Sequence, residues 1–166
     1  MKKCFKGVDR IFAYHFISMG IFMLFFILLD FPIKMLFSAK GELTDLIIGI
    51  VTVCASLFVL CYRDGFHSTK LELKPFVFSM ALFLLLLNAI TCLLGLIGSA
   101  IYVSGPTNLL AEYVVNQAGL YFEERKTALF WYCPLFMTGA YLFLYAPLMV
   151  LGKYLGFRRK QAVFRA

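Results

Sequence analysis

Four stretches of this 166-residue sequence, 11–29, 46–62, 76–103 and 128–152, contain no Asp, Glu, Lys or Arg. As helices rising 1.5 Å per residue they extend from about 26 Å to about 42 Å, and the hydrocarbon core of a bilayer is about 30 Å thick. Backbone groups in lipid have no water to bond, so only helices and closed barrels cross it. A barrel strand alternates apolar and polar residues over about ten positions, whereas these runs are continuously apolar. The expectation is an all-α membrane protein, a bundle of four transmembrane helices forming one polytopic domain over 1–166.

Composition agrees with that class. Hydrophobic residues make up 62% of the chain and its mean hydropathy is +0.86, against about 45–50% apolar residues in soluble domains. The segments between the four stretches are too short to hold a soluble domain.

The charges are distributed asymmetrically. Of 16 Lys and Arg residues, 12 lie at the two termini and in the loop between the second and third stretches: Lys2, Lys3, Lys6, Arg10, Arg63, Lys70, Lys74, Lys153, Arg158, Arg159, Lys160 and Arg165. The other two loops hold only Lys34, Lys40, Arg125 and Lys126. Basic residues near span ends are retained on the cytoplasmic side, so both termini are expected there, with the plasma membrane as the host bilayer. The net charge of +7 is therefore read as span flanks and not as a nucleic-acid surface. The first apolar run resembles a secretory signal but is longer than a signal core, and it is read as an uncleaved span.

Within the spans, small and polar residues recur at helical spacing. In the third, Asn88, Cys92, Gly95 and Ser99 fall on one face; in the second, Asp45, Gly49, Thr52 and Ser56 repeat the pattern. Small residues let backbones approach and an amide bonds across an interface, which in lipid replaces the hydrophobic drive between helices. These faces predict that spans two and three pack on each other or on another protomer. Asn88, near mid-span, is the leading polar landmark, since a polar residue at that depth marks a functional candidate.

Other candidates are fewer. His15, about one turn into the first span, is the one residue there able to titrate near neutral pH, but it has no acidic neighbour one turn away. Tyr141 and Tyr145, one turn apart in the fourth span, need hydroxyl partners inside the bundle or line a pocket. Pro147 is expected to kink that span and Pro32 to interrupt the helix that would align Asp30 with Lys34. Residues 107–124, after the breaker Ser104-Gly105-Pro106, read as an amphipathic helix on the outer leaflet.

The five cysteines form no Cys-x-x-Cys and have no histidine cluster beside them, so no metal, disulfide exchange or cofactor is implied. Cys4 beside Lys3 and Lys6 fits juxtamembrane acylation. Proton-coupled transporters bury a carboxylate or histidine relay in the bundle, and here the acids lie at span ends. The leading reading is an accessory or assembly subunit working through helix–helix contacts within a larger membrane complex. A homo-oligomeric transporter or channel is second, and a membrane-embedded enzyme, for which no catalytic set is nominated, is third.

Overall fold

The computed structural model describes residues 2–37, 41–96, 110, 113–115, 117–119, 132 and 134–165. Side chains are described for these except at 2–6, 26, 27, 29–37, 41–45, 91, 92, 94–96 and 165. Every regular element among them is helical: α1 (Lys2–Phe37), α2 (Gly41–His67), α3 (Leu73–Leu96), a π turn (Tyr141–Tyr145) and α4 (Ala146–Arg165). Residues 134–140 are helical and lead into the π turn. Four segments are long and apolar enough to cross a membrane: Gly7–Phe25, Leu46–His67, Leu73–Ile90 and Pro134–Phe164.

Helices α1, α2 and α4 overrun the apolar stretches. Lys, Arg, Glu and Gln are good helix formers, so hydropathy marks where lipid would lie and not where the helix stops. One expectation changes accordingly. α1 continues through Pro32 to Phe37, where an interruption was anticipated. The helix of the fourth stretch likewise continues past Gly152 to Arg165. Part of the third stretch, 97–103, and most of the anticipated outer-loop helix lie outside the described residues.

The ends of α2 and α3 have local causes. At the end of α2 the Ser68 amide bonds the Gly65 carbonyl at 3.1 Å and the Ser68 hydroxyl bonds the Asp64 carbonyl at 2.7 Å. Lys160 then donates to the Ser68 carbonyl at 2.9 Å, placing a cation where the helix dipole is negative. α3 begins at Leu73 with Pro75 in its first turn, where a missing N–H costs nothing.

α2 packs most extensively on α4, and α1 packs on both α2 and α3. Ile11, Val53, Leu57, Phe83, Leu87, Met137, Tyr141, Tyr145 and Met149 form the buried core. Large apolar side chains such as Leu28, Val51, Phe78, Leu85 and Phe143 face outward, a surface suited to hydrocarbon. The expected pairing of α2 with α3 is not among the substantial contacts between described elements. A face of small and polar residues shows that a helix has a close neighbour and does not say which one.

The α2–α4 seam is set by glycines. A Cβ at Gly156 would collide with the Tyr62 carbonyl, one at Gly65 with the Lys153 carbonyl, and one at Gly152 would lie 2.6 Å from the Phe58 carbonyl oxygen. Gly152-x-x-x-Gly156 is the small-xxx-small spacing of close membrane helix pairs.

Candidate functional site

Two polar centres lie inside the helices. The first is mid-span, where α1, α3 and the fourth span meet. Pro147 has no N–H to offer the Phe143 carbonyl, and its ring would crowd that carbonyl in an α-helix. The preceding turn is widened into a π turn, and the Ala146 amide bonds the Tyr141 carbonyl. Tyr141 and Tyr145 are each 1% exposed, with ring centroids 5.8 Å apart in an edge-on arrangement.

His15, from α1, is 2% exposed and lies beside Tyr141. Its ring centroid is 5.3 Å from that of Phe83 and 6.4 Å from that of Tyr141, and Phe83 lies 5.6 Å from Tyr141. One turn before Tyr141, Thr138 accepts a 2.8 Å hydrogen bond from the Asn88 amide nitrogen. Three of the sequence candidates, His15, Tyr141 and Tyr145, are thus linked through Tyr141, and Asn88 is tied to the same helix one turn before Tyr141. The Tyr141 hydroxyl reaches the Met149 sulfur at 3.9 Å. Ser18 Oγ, Asn88 Oδ1 and Tyr145 Oη are buried without a hydrogen-bond partner among the described residues.

The remaining described candidates lie in α2. Ser56 donates to the Val53 carbonyl of its own helix at 3.0 Å, Gly49 is buried and Thr52 half-buried in α2. The surroundings of Cys92 and Gly95, and all of Ser99, lie outside what the structure describes. Cys54 and Cys61 are free thiols.

The second centre lies where the start of α1, the end of α2, the start of α3 and α4 converge. Lys153 donates to Asp64 Oδ2 at 2.6 Å, and Arg10 donates to Asp64 Oδ1 at 3.3 Å. Their situations differ. The Asp64 and Lys153 side chains are 11% and 10% exposed, whereas Arg10 is 66% exposed. The Lys153 ammonium also sits 4.2 Å from the Phe76 ring centroid, a cation–π contact. On the same side, a Cβ at Gly7 would meet Ser79 Oγ, so α1 and α3 approach closely here.

Treated as membrane-flanking charges, Asp64 and Lys153 were invisible as a pair, yet they form a buried tie between α2 and α4. The legible signal was Gly152-x-x-x-Gly156, which places Lys153 at the first turn of a close helix contact. A buried charge pair at such a seam holds register between helices, because separating the partners leaves each charge unpaired.

No protein-family model, no curated protein and no solved structure matches the chain.

Proposed function

We propose that this chain is a multi-pass integral membrane protein, with both termini cytoplasmic, that acts through helix–helix contacts as an accessory or assembly subunit of a larger membrane complex. The observation that carries this reading is the use of interior polar side chains as ties between helices: Asn88 to Thr138, and Asp64 to Lys153 and Arg10. Supporting it, only 28–33% of the residues in each candidate span are buried within the chain itself. The exposed apolar side chains of these spans remain for lipid or for another membrane helix. Small residues also line an apolar groove of about 280 Å³ beside Ile50, Leu135, Gly139, Ala140 and Phe143, the kind of surface on which membrane helices associate.

The test is a variant that alters the groove and spares the fold. A Cβ at Gly139 would have nothing within 4 Å, so Gly139→Leu is expected to keep the monomer's thermal stability while lowering the size of the complex in native gels from mild detergent. An unchanged complex, or a wild-type protein that runs as a monomer, overturns the reading. Orientation is tested separately: external protease on intact cells should leave the C-terminal tail uncut.

A homo-oligomeric transporter or channel is the second reading, favoured by the buried unpartnered Ser18 Oγ, Asn88 Oδ1 and Tyr145 Oη. A purified homo-oligomer that moves solute across liposomes would establish it in place of the accessory role.

A further inference from the structure

Beside the Gly156 contact the α2–α4 seam opens into a shallow groove of about 340 Å³, lined by Tyr62, Arg63 and Phe66 from α2 and by Arg159 and Val163 from α4. Its walls combine two chemistries. Tyr62 and Phe66, four residues apart and half-buried, form an apolar side with the exposed Val163, whereas the exposed Arg63 and Arg159 supply two guanidinium groups.

These two charges are unopposed. Among the described residues neither arginine enters a hydrogen bond, an ion pair or a ring contact, and no carboxylate lines the groove. Asp64, the one acid between Leu46 and His67, is engaged by Lys153 and Arg10, and α4 contains no Asp or Glu. The negative end of the α2 dipole is met by Lys160, which bonds the Ser68 carbonyl. Arg63 and Arg159 therefore keep their full donor capacity for a ligand.

Position selects the source of the anion. Arg63 is the first charged residue after the uncharged stretch 46–62, so it stands where hydrocarbon gives way to headgroups. A soluble anion would engage the arginines and leave the apolar side in water, whereas a phospholipid brings phosphate and hydrocarbon together.

We propose that this groove binds an anionic phospholipid, with Arg63 and Arg159 on the phosphate oxygens and the adjoining hydrocarbon against Tyr62 and Phe66. The paired donors of a guanidinium match phosphate oxygens, and basic side chains at a span end attract anionic headgroups. Two cations also repel the ammonium of a zwitterionic headgroup, so phosphatidylglycerol is preferred to phosphatidylcholine. The assignment rests on the membrane part of the preceding reading and not on the accessory role.

The experiment is native mass spectrometry of the full chain released from detergent, titrated with phosphatidylglycerol and with phosphatidylcholine of the same acyl chains. Inorganic phosphate and a hexaglutamate peptide form separate arms. Phosphatidylglycerol should bind more tightly than phosphatidylcholine. Arg63→Gln and Arg159→Gln should each weaken it about tenfold or more, the scale of a lost hydrogen bond to a charged group. Arg158→Gln is the control: that guanidinium sits 5.6 Å from the Tyr154 ring centroid and outside the groove, so its loss should leave the affinity at the wild-type value. Equal binding of the two lipids, wild-type affinity in Arg63→Gln or Arg159→Gln, or an equal loss in Arg158→Gln overturns the proposal. Inorganic phosphate or hexaglutamate bound as tightly as phosphatidylglycerol overturns the lipid assignment. A chain that needs detergent for extraction yet fails these tests refutes the site and leaves the membrane reading standing, whereas a chain recovered without detergent removes both.

Discussion

Removing Asp64 should cost far more stability than removing Arg10, although both belong to one ionic group. In Asp64→Ala the Lys153 ammonium, 10% exposed and seated over Phe76, loses its 2.6 Å carboxylate partner. Breaking a buried pair from one side costs about 3–5 kcal/mol, because the stranded charge keeps its desolvation penalty. Arg10 is 66% exposed and its bond is longer, at 3.3 Å; an exposed pair of that kind contributes about 0–1 kcal/mol. Converting both buried partners, Asp64→Asn with Lys153→Met, removes the charges together and should cost less than Asp64→Ala alone. Reversible unfolding in mixed detergent micelles, run as a double-mutant cycle over Asp64 and Lys153, measures the coupling directly. Equal losses for Asp64→Ala and Arg10→Ala, or additive losses around the cycle, would refute the claim that burial sets the strength of this tie.

Three further expectations rest on local geometry. Gly156→Ala and Gly65→Ala force a Cβ against a backbone carbonyl across the α2–α4 seam and should each cost about 1–3 kcal/mol in the same unfolding assay, whereas Gly20→Ala, with open space around it, should be neutral or stabilising. Asn88→Ala should lose about 0.6 kcal/mol and no more than about 1.7, the range of interhelical side-chain hydrogen bonds in membranes; loss of membrane insertion in that variant would contradict it. Thr138→Val strands the Asn88 amide donor and should therefore destabilise at least as much as Asn88→Ala in parallel melts.

That the chain holds four helices long and apolar enough to cross a membrane was legible, because lipid imposes one demand, a long uncharged run, that any reading of hydropathy recovers. Helix ends were not, because the polar flanks around Lys2 and Arg165 extend the same helices without changing their apolar pattern. His15, Asn88, Tyr141 and Tyr145 were identifiable one by one as polar groups at depth. Their partners on other helices were not, since these depend on which helices are neighbours. Asn88 bonds to Thr138 in the fourth span and not to the polar face of α2. Asp64 and Lys153 were hidden for a different reason: charges near span ends serve topology in most membrane chains, so a pair buried at a glycine seam looks like any other flank until the seam is seen.

The π turn changes the rotational phase of the fourth span. Met137, Tyr141, Tyr145 and Met149 are all buried at a spacing of four residues, which in a regular α-helix would drift by roughly 40° per step, or about 120° over three steps. The widened turn absorbs part of that drift. The upstream half can therefore hold Thr138 toward α3 while the downstream half aims Gly152 and Gly156 at α2. The span behaves as two helices geared out of step, and the length of the Tyr141–Tyr145 segment, more than the identity of its residues, sets the gear ratio. Deleting one residue there would leave the composition and hydropathy of the span almost unchanged while turning one of its two contact faces away from its partner.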